Sequence, residues 1–180
     1  MSRRLQPALL CLLLAGTALF AHAQYDPAGR SRFNNNFEEE APWKEAETEL
    51  PAFPKDGDLV EIYVSAVATN KYLIDRSTLG VGGDGVVRYT LVVLTSGGAR
   101  NTSFEGIHCK ERNWKLYATG SADGSWSKAR RSEWRPIENK PVNRHHAALS
   151  REFFCPNGSP ILTADEGRQA LRLGKHPNVN

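Results

Sequence analysis

The stretch "DGVVRYTLVVLT", residues 84–95, carries the strongest strand signal in the chain. It is rich in β-branched residues, and apolar side chains occupy both alternating sets of positions. A strand that is apolar on both faces is typically covered on both faces, so this segment is predicted to lie at the centre of a sheet. The pairs Asp84-Gly85 before it and Gly97-Gly98 after it are typical of turns between antiparallel strands.

Segments on both sides of this stretch repeat the two-residue period of strands. "DLVEIYVSAVA" predicts a strand through about Val67, and "KYLID" predicts another before residue 84. After the Gly-Gly turn, "ARNTSFEGIHC" and "NWKLYATG" continue an antiparallel meander. A short segment around Trp126 follows, and an irregular connection begins at Trp134 and Pro136.

Helices are predicted at both ends of the sheet. In "APWKEAETELP", Pro42 suits the first helical position and Trp43 lies in helical register with the apolar residues that follow, so we expect a short helix docked through Trp43. "NRHHAALSREFF" predicts a second helix, and "TADEGRQALRLG" predicts a third that begins with Thr163 and Glu166 in capping-box spacing and ends at Gly174. Residues 42–176 are therefore predicted to form a single α+β domain, a mostly antiparallel β-meander of four to six strands covered by short N-terminal and C-terminal helices.

The chain opens with the pattern of a secretory signal peptide. Arg3 and Arg4 precede an apolar run over residues 8–21, and Ala21-His22-Ala23 predicts cleavage before Gln24, so residues 1–23 are expected to be removed after export. The run is shorter than the ~20 residues that span a bilayer, so no stable membrane anchor is expected. Residues 24–41, "QYDPAGRSRFNNNFEEEA", contain too little apolar surface to order themselves and are predicted to be a flexible tether.

Charge and cysteine content narrow the classes of function. The chain has 23 Lys and Arg against 20 Asp and Glu. Without Arg3 and Arg4 the basic residues number 21 against the same 20 acidic ones, so the mature net charge is about +1, which argues against general nucleic-acid binding. Cys109 and Cys155 remain after the signal peptide, and an even count in an exported chain favours a disulfide over free thiols.

Two motifs that resemble cofactor or metal sites are better explained as structure. "GVGGDG", residues 80–85, matches the spacing of a dinucleotide-phosphate loop, but a strand follows it where such a loop needs a helix, so a hairpin connection is predicted. The mature histidines form no H-E-x-x-H motif, and His145 and His146 would point about 100° apart on a helix. Neither a metal nor a cofactor is expected.

The segment "NTSFEGIHCKER", residues 101–112, contains the residue types of a catalytic cluster, Glu105, His108 and Cys109. In a strand, successive side chains point to opposite faces, so His108 and Cys109 cannot act together within it. Glu105 and Cys109 share one face, with Cys109 directed toward the helix that ends at Cys155. His108 is expected on the other face as a surface group, and it is a further candidate binding residue. A small envelope hydrolase that uses groups near Glu105 and His108 is one alternative function.

A basic segment at residues 126–146 is the strongest surface feature. It has six Lys and Arg residues against two Glu, and its candidate binding residues are Trp126, Arg130, Arg131, Trp134 and Arg135. Cations attract an anionic polymer or a negatively charged protein, and indoles could stack on it. The other interpretation is an exposed basic loop whose tryptophans pack inward.

Several of these segments together resemble the cryptic neisserial protein-like family of small exported proteins from Gram-negative bacteria. The resemblance rests on "WKEAETELPAFPKDGDLVEIYVSA", "DGVVRYTLVV", "GARNTSFEGIHC", "KLYATG" and "FCPNG", and it spans residues 43–158. It implies a periplasmic location and no reaction, ligand or catalytic residue. It also places Cys109 and Cys155 at matching positions, which supports reading them as a structural pair.

The expected function is a soluble periplasmic binding or accessory module of the cell envelope without catalytic activity. Its partner is expected to be an envelope protein or an anionic polymer. The alternatives are the small hydrolase and an interaction protein that docks through residues 126–146.

Overall fold

The computed structural model describes residues 42–179, so the predicted signal peptide and tether, residues 1–41, lie outside the described residues. Seven strands form one antiparallel sheet in which the first six follow chain order and the seventh pairs with the fifth. The strands are β1 Leu59–Ile62, β2 Lys71–Val81, β3 Val86–Leu94, β4 Arg100–His108, β5 Asn113–Gly120, β6 Trp126–Lys128 and β7 Arg135–Pro136. The predicted antiparallel meander is confirmed, and β1 ends earlier than expected because the chain turns at Ala66 and Val67.

Helices cover one face of this sheet. Helix α1, Arg144–Ala148, continues as a π-helical segment, Leu149–Phe154, and α2 spans Ala164–Leu173. As predicted, the Thr163 hydroxyl accepts the backbone N–H of Glu166 at the start of α2, and Gly174 ends the helix with a φ of 77°. The α+β class is therefore confirmed, and within residues 42–179 both α-helices follow the sheet in the chain.

The hydrophobic core lies between the sheet and these helices. From the central strands it takes side chains such as Val87, Tyr89 and Ile107, and from the helical layer it takes Phe153 and Phe154, all of which are buried. The first seven residues of β3 are buried without interruption, as expected of a strand covered on both faces.

The predicted N-terminal helix is wrong. Residues 42–55, which we call the strap, run without helix or strand across the sheet face opposite the helices. The Ala46 N–H donates to the Asp84 carboxylate at 2.8 Å and the Trp43 indole N–H donates to the Asp84 carbonyl at 2.8 Å. A helix this short is marginal in isolation, so these contacts with the sheet override the helical pattern of the sequence.

The expected disulfide is present and ties the sheet to the helical layer. Cys109 follows the last residue of β4, and Cys155 follows the π-helical segment, with a Cα–Cα distance of 5.5 Å and a sequence separation of 46. Both residues are buried in the core. The bridge therefore links the C-terminal end of β4 to the end of the π-helical segment.

Candidate functional site

His108 lies under the strap. Its ring stacks on Trp43 with centroids 4.5 Å apart, and the Trp134 ring lies 5.9 Å away, which leaves His108 only 7% exposed. Its side chain lies on the face opposite Glu105 and Cys109, as strand alternation predicts. The expectation that His108 is a surface group is wrong, because the strap that was predicted to be a helix covers this face.

Glu45 fastens the strap to β5 and to the loop beyond it. Its carboxylate accepts the Lys115 ammonium at 2.8 Å, the Tyr117 hydroxyl at 2.9 Å and the Trp134 indole N–H at 3.1 Å. Burial alone would raise the pKa of Glu45, but these hydrogen bonds outweigh it and the pKa lies below its usual value. Tyr117 lies on the strap side of β5 together with Lys115, which precedes it by two positions, and it is the extra residue at a bulge in that strand.

The glycine-rich turn holds the strap at a second point. Asp84 and Arg88 form a buried two-pronged ion pair, with N–O distances of 3.0 and 2.7 Å, and the same carboxylate accepts the Ala46 N–H. Burial opposes the charge on Asp84, but the hydrogen bond from Arg88 and those from the backbone lower the pKa of Asp84 to about 2. "GVGGDG" is therefore a hairpin connection, with Gly85 at a φ of 75°, and its aspartate is an anchor for the strap.

On the helix-covered face, Glu105 is the centre of a buried polar cluster. Its carboxylate accepts the Ser103 hydroxyl at 2.7 Å and the Tyr89 hydroxyl at 3.0 Å, and it lies 2.9 Å from His146 Nε2. Burial raises the pKa of Glu105, but the interactions with His146 and Ser103 outweigh it and the pKa lies below its usual value. The cluster has the residue types of a catalytic triad, yet Glu105, His146 and Tyr89 are buried in the core and Ser103 is half-buried.

Two adjacent histidines extend this cluster. His146 stacks on Trp114 with ring centroids 3.8 Å apart, and His145 stacks on Tyr72 at 4.9 Å. The two imidazoles lie 4.0 Å apart, and burial together with the neighbouring His146 lowers the pKa of His145 to about 4. Within the described residues, no group of three or more His, Cys, Asp or Glu side chains is placed to hold a metal ion.

The loop between β6 and β7 carries most of the predicted binding residues. We call residues 128–135 the basic loop. It is held to β5 by two hydrogen bonds, one from the backbone N–H of Ala129 to the Tyr117 carbonyl at 2.9 Å and one from the Ser132 side-chain hydroxyl to the Leu116 carbonyl at 2.7 Å. Arg130 and Arg131 lie exposed between these anchors and form no ion pair with any residue from 42 to 179.

The two tryptophans of this region are directed inward. The Trp126 indole N–H donates to the Pro51 carbonyl at 2.9 Å, and its ring lies 5.1 Å from Phe53. Trp134 donates to Glu45 and lies 6.0 Å from Trp43. Both indoles therefore pack against the strap, which matches the inward-packing interpretation of the basic segment.

The arginines of the basic segment differ in environment. The Arg135 guanidinium lies over the Trp114 ring at 5.7 Å, a cation–π contact. Arg130 and Arg131 have no comparable aromatic contact within the described part of the chain. The chemistry that the loop offers is thus a pair of solvated guanidinium groups on a fixed backbone.

Sequence comparison with known proteins assigns the chain to a family. The sequence matches the CNP1-like family over residues 38–172. The chain belongs to the CNP1-like family. It is also 31% identical, over an alignment of 176 residues, to Cryptic neisserial protein 1 of Neisseria gonorrhoeae (strain ATCC 700825 / FA 1090), and the match covers 86% of this chain and 86% of that protein. The resemblance stated from the sequence is therefore confirmed, and no solved structure matches the chain.

In this CNP1-like protein the residues predicted for a site fall into three separate places, of which the exposed basic loop carries Arg130, Arg131 and Arg135. Trp126, Trp134 and His108 gather beneath the strap, whereas Glu105 lies in the core on the other face. Glu105 and His108 do not converge, so the arrangement expected of a hydrolase built on these two groups is absent from the described residues. Among residues 42–179 there is no helix with the length and apolar character needed to cross a membrane.

Sequence reasoning missed the pairing of Glu105 with His146. The two residues are 41 positions apart and lie on different elements, so no local motif joins them. A usable signal was present: His146 belongs to a helix whose apolar residues must face the sheet, and a polar residue on a buried face needs a partner.

Proposed function

We propose that this CNP1-like protein is a non-catalytic binding module of the periplasm that holds an anionic polymer on the basic loop. The signal-peptide pattern of residues 1–23 supports export, and the family resemblance supports the periplasm. The single observation that carries the binding function is the state of Arg130 and Arg131, which are exposed, adjacent and without an ion-pair partner in the described residues.

The fixed backbone of the basic loop favours binding. Two hydrogen bonds from Ala129 and Ser132 to β5 and the inward anchors Trp126 and Trp134 hold the loop in place before any partner arrives. A loop that is already ordered loses less conformational entropy on binding, so more of the electrostatic attraction appears as affinity. Guanidinium groups also suit phosphate and carboxylate oxygens, which they contact in pairs.

A polymer suits the loop better than a small anion. Exposed ion pairs contribute only about 0–1 kcal/mol each, so a single anionic group would bind weakly. A chain with repeated anionic groups can contact Lys128, Arg130 and Arg131 at once, and each further contact is intramolecular. The indoles do not supply stacking, so recognition is expected to depend on charge and to weaken with salt.

The surroundings of Glu105 and His108, the candidate acid and base groups, support a binding role over catalysis. Glu105 is fully hydrogen-bonded inside the core, and His108 is enclosed between Trp43 and Trp134. A nucleophile or general base must reach substrate, and neither group does so in this arrangement.

The test measures binding of fluorescent polyphosphate and fluorescent poly-L-glutamate by anisotropy, at low and at high NaCl. Replacing Lys128, Arg130 and Arg131 with Gln should weaken binding at least about tenfold, which corresponds to ~1.4 kcal/mol. The control removes three exposed charges elsewhere, Lys55, Arg172 and Lys175, and should bind like the wild type. Equal affinity in the two triple variants, or no binding of either polymer, would refute the proposal, and the two polymers distinguish phosphate from carboxylate recognition.

The location is tested separately. The chain expressed in a Gram-negative host should be recovered in the periplasmic fraction, and its mature N-terminus should be Gln24 by mass spectrometry. Recovery in the cytoplasm with residues 1–23 retained would contradict export.

A further inference from the structure

The turn between β1 and β2 forms a cavity on a surface that the proposed function does not use. The cavity has a volume of about 400 Å³ and is lined by aliphatic and polar side chains in similar number. The aliphatic part of the lining includes Val64, Val67, Pro141 and Val142, and the polar part includes Ser65, Asn70 and Tyr72. Its size lies at the lower end of the roughly 300–1,000 Å³ that is usual for small-molecule sites.

Two of these side chains are exposed to an unusual degree. Val67 is 74% exposed and Val142 is 77% exposed, although each lines the cavity. Tyr63, 71% exposed, lies at the neighbouring side of the same turn. Exposed apolar residues are normally scattered singly over a protein surface. Apolar groups that are exposed side by side around a concavity are instead typical of a ligand-binding surface.

One cation contributes to the wall of this cavity. Arg144 lines it, and its guanidinium donates to the Ser65 hydroxyl at 3.2 Å. Within residues 42–179 Arg144 has no carboxylate at ion-pair distance, whereas the neighbouring Lys71 pairs with Glu61 at 3.5 Å. A cation that remains partly buried without an anionic partner is complementary to an anionic ligand.

We propose that this cavity binds a small aliphatic carboxylate of the medium-chain fatty-acid class. The hydrocarbon chain would lie against Val64, Val67 and Val142, and the carboxylate would pair with the Arg144 guanidinium. An aliphatic ligand suits the site better than an aromatic one, because the single aromatic side chain in the lining, Tyr72, already stacks on His145 at 4.9 Å.

The test uses the purified protein, expressed from the full-length chain, and titrates it at pH 7 with octanoate, octanol and octylamine while recording amide chemical shifts. Octanoate should give saturable shifts at residues 64–70 and 141–144. Octanol lacks the charge and octylamine is repelled by Arg144, so both should bind at least about tenfold more weakly. No saturable shifts with octanoate, shifts confined to other residues, or equal binding of octylamine would each overturn the proposal.

Three variants test the contributions of the ligand's carboxylate and hydrocarbon chain separately. Arg144→Gln should weaken octanoate about tenfold and leave octanol unchanged, whereas Val142→Ser should weaken both. Because octanol has no carboxylate, unchanged octanol affinity in Arg144→Gln also shows that the turn is still folded. Arg172→Gln, on the exposed side of α2, is the charge control. Unchanged octanoate affinity in Arg144→Gln, or an equal loss in Arg172→Gln, would refute a role for Arg144.

Discussion

Lowering the pH from 7 to 5 is expected to destabilise the fold through His145. This side chain is 9% exposed, stacks on Tyr72 and lies 4.0 Å from the ring of His146. Burial and His146 lower its pKa from 6.5 to about 4 in the native state, and the Glu105 charge only partly opposes this. In the unfolded chain His145 therefore takes up a proton below about pH 6.5, whereas in the native state it does so only near pH 4.

The size of the effect follows from these two pKa values. Above pH 6.5 both states hold a neutral His145 and the residue contributes no pH dependence. Between pH 7 and pH 5 the free energy of unfolding should fall by about 2 kcal/mol through this group. Glu105 has a lowered native pKa, so its stabilisation is present above its unfolded pKa and is lost only as the pH falls below that value, which keeps it out of this window.

Urea unfolding followed by tryptophan fluorescence measures the effect at both pH values. With a urea dependence of about 1–3 kcal/mol per molar, the midpoint should move by roughly 1 M. His145→Phe keeps a flat ring against Tyr72 but cannot take up a proton, so it should lose about 2 kcal/mol of the pH dependence. The reasoning is refuted if His145→Phe retains the full dependence of the wild type.

Three further predictions concern the disulfide, the strap and α2. Replacing Cys109 and Cys155 with Ala should lower the free energy of unfolding by about 4 kcal/mol, measured by urea unfolding, and an unchanged midpoint would contradict this. Trp43→Ala removes the stack on His108 and the bond to Asp84, so amide exchange at Ala46 should accelerate about tenfold, equivalent to ~1.4 kcal/mol, whereas unchanged exchange would show that the strap is held without Trp43. Thr163→Ala removes the cap of α2 and should cost about 1 kcal/mol by thermal unfolding, an effect that Thr163→Ser should largely restore.

The sheet could be predicted because its signals are local. β-branched runs separated by Gly-Gly and Asp-Gly turns define antiparallel neighbours in chain order, and the doubly apolar pattern of residues 86–94 places β3 inside the sheet. The cap of α2 was also readable, because Thr163, Glu166 and Gly174 act within one helix.

The strap could not be predicted because its conformation depends on partners far along the chain. Helical spacing in residues 42–50 describes a real local preference, but Glu45 bonds to residues about 70 positions away. The contacts between the strap and the sheet also shape the candidate site, because the strap buries His108 and Trp126 and Trp134 pack against it. Local pattern therefore predicted the strands but assigned the wrong surroundings to His108 and the wrong conformation to the strap.

The most direct measurement of the central claim is a map of the surface that contacts a polyanion. Backbone amide chemical shifts of the isotopically labelled protein should be recorded during titration with polyphosphate at low salt. The largest changes should fall on residues 128–135, and they should diminish when salt is added. Shifts centred on another surface, or none in the basic loop at saturating polyphosphate, would contradict the proposal that this loop is the binding site.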